Sequence, residues 1–216
     1  MSAVELHNIT FLGSSDAGKT TLVESVAHHF GATKRRGSVD EGTALTDFTP
    51  EEREKKHSLT AGVVHIEAAH GKLNLIDTPG YPDFVADAIT SMGAAGTAVF
   101  AVAARETGVP FHTLQLWKRA GQIGLARAVV VTKLDNDNLH LSQVIENIRE
   151  ILGQRVVPFT LGNETGKGFD QVMIVDQVDN EYRSHLVDAI VESDDALMEK
   201  YLETGSISHE ELEAAI

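Results

Sequence analysis

The chain has 216 residues, 42% of them hydrophobic, with a formal net charge of −14 and no cysteine. That length suits one domain with a small insertion or appendage, and the missing thiols exclude disulfides and thiolate metal sites. No apolar run is long enough to span a bilayer, and Met1-Ser-Ala-Val-Glu-Leu6 lacks the basic and apolar parts of a secretory signal. Neither export nor a membrane partner is expected, and a cytoplasmic location is. So acidic a chain should be repelled by nucleic acid phosphate unless its bases cluster or another domain does the binding.

In chain order, Ile9-Thr-Phe-Leu12 reads as a buried strand, and Leu22, Val26 and Phe30 fall at helical spacing over 19–30. Residues 31–56 are polar and without periodicity, the profile of a functional or unstructured loop. Strands follow at 63–68 and 73–76. The link between them is too short for a crossover, so they form an antiparallel hairpin. A helix at 83–92, a strand at 97–102, a helix at 111–123, a strand at 128–131, a helix at 141–152 and a strand at 156–160 complete an alternating pattern. This alternation predicts an α/β fold, a mostly parallel sheet with one antiparallel hairpin strand, flanked by helices.

Past Phe159 the chain becomes turn-rich. It offers a short strand at 173–175, an amphipathic helix at 182–192, and a capping box at Ser208-His-Glu-Glu211 that opens a last helix. Acids crowd the stretch after 175, where Arg183 and Lys200 are the only bases. Such a face is either simply solvated or a docking surface for a basic partner.

Between the first strand and helix lies Gly13-Ser14-Ser15-Asp16-Ala17-Gly18-Lys19-Thr20, followed by Thr21, a complete phosphate-binding loop in its confirming context. Its glycines let backbone N–H groups close on phosphate oxygens, and the helix N-terminus adds partial positive charge. Lys19 would reach the β- and γ-phosphates and the Thr20 hydroxyl would ligate Mg²⁺. Asp77-Thr-Pro-Gly80 ends a strand, where the acid supports Mg²⁺ and the Gly80 N–H senses the γ-phosphate. At Thr132-Lys133-Leu134-Asp135, another strand end, the carboxylate accepts both donors of a guanine edge, and the Lys133 stem covers the base. A phosphate-loop ATPase or kinase remains an alternative, opposed by Asp135 and the long 31–56 loop.

These motifs resemble the GTP-binding domain of translational GTPases, above all elongation factor G and its paralogues. The likeness runs from His7-Asn-Ile9 through Val39-Asp-Glu-Gly-Thr-Ala-Leu-Thr-Asp47 and Asp77-Thr-Pro-Gly80 to Tyr182-Arg183 and Asp195-Ala-Leu-Met-Glu-Lys-Tyr201. It implies a phosphate-loop GTPase fold, GTP/GDP and Mg²⁺ as cofactors, the ribosome as partner through a full-length parent, and a GTP-hydrolysing or GTP-switched activity. By the same resemblance residues 31–60 form the first switch. Ser58, or failing it Thr60, completes the Mg²⁺ shell, and Lys19, Gly80 and residue 81 serve catalysis. A GTP-binding core would occupy 1–161 and an inserted acidic helical subdomain, partial here, 162–216. The acidic region would suit a basic or stalk ribosomal protein, and a monomer is expected.

Four departures modify the expectation. Tyr81 stands where the family usually has the histidine that positions the attacking water, so hydrolysis is expected to be slow or ribosome-dependent. Thr132 replaces an asparagine that ties the base loop to the phosphate loop, which would weaken binding while Asp135 keeps guanine preference. Ser14 replaces a histidine at a variable position. A final Ser-Ala motif is missing, which implies a piece of a longer protein with its base pocket open on one side and loop 31–56 mobile or misplaced.

Overall fold

The computed structural model describes residues 5–68, 71–105, 108–136, 139–162, 166, 172–174 and 182–215. Contacts divide the chain into two compact units, 1–104 with 109–133, and 105–108 with 134–216.

The first unit carries β1 (Leu6–Leu12), α1 (Lys19–His29), α2 (Pro50–Lys55), β2 (Gly62–Ala68), β3 (Gly71–Asp77), α3 (Val85–Ala94), β4 (Thr97–Ala103), α4 (Phe111–Gln122) and β5 (Ala126–Thr132). Its sheet runs β2-β3-β1-β4-β5. Only the β2–β3 pair is antiparallel, with Val64 opposite Leu75 and Gly62 opposite Asp77. β1 lies parallel to both β3 and β4, and β4 to β5. The parallel strands therefore deliver Gly13, Asp77 and Lys133 to one edge, the carboxyl edge where ligands of open α/β sheets bind.

Apolar side chains explain why the layers close. Val23 and Ala27 of α1 pack with Phe11, Val64, Ile66 and Leu75 of the sheet. Phe100 is fully buried and meets Trp117 of α4 edge-on at 5.1 Å, while the Arg127 guanidinium lies over the indole ring at 4.4 Å. One buried polar pair, Thr10 with Ser91 at 2.7 Å, joins β1 to α3.

The stretch 31–56 is not a structureless or misplaced loop, since it holds α2 and is tied to α1. Thr49 caps α2 in a reciprocal box with Glu52, with Pro50 in its first turn and Lys56 left-handed at its end (φ 57°). Thr49-Pro-Glu-Glu52 carried that signal in sequence, but six residues are too few for apolar periodicity. Upstream, the buried Glu24 carboxylate of α1 accepts the amides of Gly37, at 2.9 Å, and Leu45. Downstream, Asp87 of α3 accepts the Ala61 amide at 2.9 Å.

The second unit comprises α5 (Leu141–Leu152), β6 (Thr160–Gly162), β7 (Val172–Ile174), α6 (Arg183–Val191), α7 (Asp195–Thr204) and α8 (His209–Ala214). Ile145, Tyr182, Leu186, Val187, Ile190, Val191, Ile207 and Leu212 form its core. The strand expected at 156–160 is not formed over most of that range. Pro158 lacks an N–H and restricts Val157, and β6 begins only at Thr160, pairing antiparallel with β7. Of the strand expected at 173–175, Val175 lies outside the described residues. α7, not anticipated as a helix, starts where the Asp194 carboxylate accepts the Ala196 and Leu197 amides and stops at left-handed Gly205. The Ser208 capping box opens α8 as expected, and Lys200 pairs with Glu211.

Glu24→Gln would turn an amide NH₂ toward one of the two backbone donors that the carboxylate now accepts. The 31–45 stretch should then open more often, and trypsin should cut at the exposed Lys34-Arg35-Arg36 about tenfold faster, a loosening on the order of 1.4 kcal/mol. Timed proteolysis of folded protein measures this, and an unchanged rate would show that Glu24 does not hold the stretch.

Candidate functional site

The loop after β1 is shaped by two glycines. Gly13 takes φ 138°, and a Cβ there would strike the Ala101 carbonyl. Gly18, at φ 83°, precedes α1, whose first turn has no side-chain cap and no acid. Its amides are thus left for a ligand of opposite charge. Asp16 between them is also left-handed (φ 59°). Across the edge, the Ser15 amide donates to the Gly80 carbonyl at 3.0 Å, and the Thr78 hydroxyl donates to the Phe11 carbonyl at 2.6 Å. A Cβ at Gly80 would come 2.5 Å from both Lys19 Nζ and the Ser15 nitrogen. Only glycine lets the Asp77-Thr-Pro-Gly80 turn lie this close.

Lys19 is 6% exposed, and its Nζ donates to the Ser14 carbonyl at 3.0 Å. Burial lowers its pKa, against the pull of Asp77, Asp16 and Asp47. Asp77 is the counterpart. Its Oδ2 accepts the Thr20 hydroxyl at 2.7 Å and the Thr46 hydroxyl at 2.7 Å, while its buried Oδ1 has no partner. Burial pushes the carboxyl up to about 6, although both hydroxyls and Lys19 oppose the shift. Ser58 Oγ stands 3.4 Å from Thr20 Oγ1 and donates to Asp47 at 2.7 Å, a carboxyl that burial also raises. Thr60, the second candidate for this place, instead turns its hydroxyl to Glu52 at 3.3 Å.

Hydroxyls of Thr20 and Ser58, an orphaned Asp77 oxygen and the nearby Asp47 form an oxygen-only donor set of the kind Mg²⁺ takes alongside phosphate and water. Among the described residues no three His, Asp or Glu side chains converge as a metal cage, and a cation shared with phosphates needs none. A cavity of about 290 Å³ lies against Thr20, Asp47 and Ser58, with the buried Asp77 bonded to Thr20 behind them. Lys19, Thr20, Ser58, Gly80 and Lys133 line it, together with Asp40, Lys56, His57 and Tyr81.

Of the expected site residues, those of 13–21, Ser58, Asp77, Gly80, Tyr81, Thr132 and Lys133 lie in this one unit. Thr132 Oγ1 donates to the Ala17 carbonyl at 2.7 Å, so threonine keeps one tie between β5 and the phosphate loop. Lys133 is left-handed (φ 59°). Asp135 belongs to the other unit and is exposed. Sequence reasoning gave no role to Thr46, Asp47 or His57. The first two sit inside a quoted motif, but nothing in their spacing announces that they fold back onto Asp77 and Ser58.

The family profile described as "Elongation factor Tu GTP binding domain" matches residues 4–209. An elongation factor G-like protein of Mycobacterium tuberculosis is 33% identical over 216 residues, 91% of this chain and 30% of its own. The tetracycline resistance protein TetM from transposon Tn916 of Enterococcus faecalis is 31% identical, over 97% of this chain and 32% of its own. A crystal structure of a Thermus thermophilus protein matches with a TM-score of 0.87 at 34% identity, covering 97% of this chain and 34% of that one. The chain thus spans about a third of the length of these relatives.

Asp77 gives the nucleotide-free protein a pH signature. Its carboxyl titrates near 6 when folded and near 3.9 when unfolded, so the folded state holds the proton more tightly. Stability from this group therefore falls as pH rises from about 4 to about 6 and stays low above that. Asp77→Asn keeps an amide oxygen for Thr20 and Thr46 without the charge. In EDTA, urea unfolding should find it more stable than the parent by on the order of 1–3 kcal/mol at pH ~8, and nearly equal at pH ~4. Equal stability at both would mean that the carboxylate has a counter-charge in the empty protein.

Proposed function

The chain belongs to the elongation factor Tu GTP-binding domain family, and from that premise we propose that it is the nucleotide module of an elongation factor G-like protein that binds and hydrolyses GTP on the ribosome. The observation that carries this reading is the meeting of Lys19, Thr20, Ser58 and Gly80 around one pocket, with Asp77 bonded to Thr20 behind it. In it the loop 13–18 and the α1 amides hold the phosphates, with Thr21 in the first turn, and Lys19 neutralises β/γ charge. Thr20, Ser58 and Asp77 would hold Mg²⁺, which when bound offsets phosphate charge in the transition state. The Gly80 amide senses the γ-phosphate. Lys133 covers the base, Thr132 steadies its loop, and Asp135 selects guanine.

The wider assignments rest on the same reading. A GTP-binding core over 1–161 carries an inserted subdomain over 162–216, the protein is a cytoplasmic monomer, and the ribosome is its partner. The exposed Asp188, Glu192, Asp194, Asp195, Glu199 and Glu203 give the second unit an acidic surface suited to a basic or stalk ribosomal protein. A second reading, a switch that acts by occupying the ribosome while hydrolysis is slow, is favoured by Tyr81. Its bulky ring, 39% exposed, lies at the pocket where the family's water-positioning histidine is expected.

Single-turnover GTP hydrolysis by the full-length parent, with and without ribosomes, separates the two. The GTPase reading expects ribosomes to raise the rate by at least about a hundredfold, in line with the factors by which partners complete such sites. Tight GTP binding with no stimulated turnover would leave the occupancy switch. Displacement of GTP by equimolar ATP would overturn both.

A further inference from the structure

Hydrolysis needs a proton acceptor that can hold a water against the γ-phosphate, and the pocket contains an imidazole that no motif announced. His57 immediately precedes Ser58, whose hydroxyl meets Thr20. Its ring packs on Tyr81, with centroids 4.7 Å apart and planes tilted 53°. Tyr81 in turn follows Gly80, where an added Cβ would come 2.5 Å from Lys19 Nζ. The imidazole is therefore bracketed by two segments that reach the phosphate end of the pocket, and both His57 and Tyr81 line it.

The ring's tautomer is fixed by a neighbour. His57 Nδ1 lies 2.9 Å from the Lys55 carbonyl, which can only accept, so Nδ1 carries the hydrogen and Nε2 of the neutral ring is left as an acceptor. Other lining groups suit the task less. Asp47 already accepts the Ser58 hydroxyl. Asp16 and Asp40 carry charge of the same sign as the triphosphate, and a phenol oxygen is a weak acceptor.

Resting on the GTPase reading above, we propose that His57 Nε2 accepts a hydrogen bond from the attacking water, and that Tyr81 is a positioning residue that holds the imidazole by its ring rather than using its hydroxyl. The water oxygen forms the new bond to the γ-phosphorus. The bond to the β,γ-bridging oxygen breaks and its electron pair leaves on GDP. The water protons finish on the inorganic phosphate, so His57 ends the cycle unchanged. The role absent from the residue after Gly80 is filled from the first switch, and it exists only while residues 55–58 are seated against that turn.

Four variants of the full-length protein test this, with fluorescent-GTP affinity read beside single-turnover hydrolysis on ribosomes. His57→Ala should slow hydrolysis about a hundredfold while GTP affinity stays within about threefold. His57→Gln, whose amide oxygen still accepts, should recover part of that loss. Tyr81→Phe, which keeps the ring, should lose far less than Tyr81→Ala. Normal hydrolysis by His57→Ala overturns the proposal, as does a loss in Tyr81→Phe as deep as in His57→Ala, which would make the phenol the acceptor. A more than tenfold loss of GTP affinity in His57→Ala would make His57 a binding residue and overturn it too. A parent that binds GTP but never hydrolyses it would instead remove the GTPase reading itself, and the proposal with it.

Discussion

The first unit is organised around a buried carboxylate. Asp77 ends β3 beneath the pocket and draws the Thr20 hydroxyl from α1 and the Thr46 hydroxyl from the 31–56 stretch onto one oxygen. The displacement of its carboxyl to about 6 corresponds to roughly 3 kcal/mol against the charged form. That displacement is what remains after the Thr46 and Thr20 hydroxyls and Lys19 have opposed it, so the two hydroxyls do not offset the burial. Lys19 helps but is itself desolvated. On the proposed reading, a divalent cation and a polyanion together would satisfy what remains, the orphaned oxygen and the buried ammonium. Site and stability are thus in tension, the usual condition of a pocket built for a charged ligand.

Carboxylates also explain why a polar stretch with no apolar pattern takes a definite course. Glu24 accepts two of its amides, and Glu52 caps α2 while accepting the Leu59 and Thr60 amides. Asp87 then holds Ala61. Each bond joins an ionisable side chain to a backbone donor, the stronger kind of hydrogen bond. The stretch carries little hydrophobic anchoring of its own, with Leu45 and Phe48 largely exposed. Its position therefore depends on a few charge-assisted contacts, which would suit the switch segment that the resemblance implies.

Much of this was legible in the residues. The alternation of apolar runs and helical spacing predicted β1 to β5, α1, α4 and α5, because β-rich apolar runs and amphipathic helices write their periods into the chain. The phosphate loop and Asp77-Thr-Pro-Gly80 were legible because close backbone approach demands glycine at Gly13 and Gly80, and a left-handed backbone at Gly18. What was missed has a different physical origin. α2 and α7 are held by caps, and their signals lay in Thr49 and Asp194 rather than in periodicity. Val156–Phe159 looked like a strand by composition, and Pro158 prevented it. The contacts of Thr46, Asp47 and His57 arise from a fold-back over many residues, for which local sequence holds no spacing rule.

A protein of net charge −14 that takes a triphosphate has to bind it against its own field. Asp16, Asp40, Asp47 and Asp77 all lie in or beside the pocket, with Lys19 as the buried cation. Two elements of the chain oppose the repulsion locally, that ammonium and the uncapped amides of α1, and the metal ion of the proposed reading would be a third. None acts at long range, since a single charge is screened within about a Debye length, roughly 8 Å at physiological salt. Capture of nucleotide is therefore decided by fit at the loop rather than by steering. Net acidity also disfavours loose association with polyanions at large, so the ribosome contact proposed above would have to come from a defined surface and not from bulk charge.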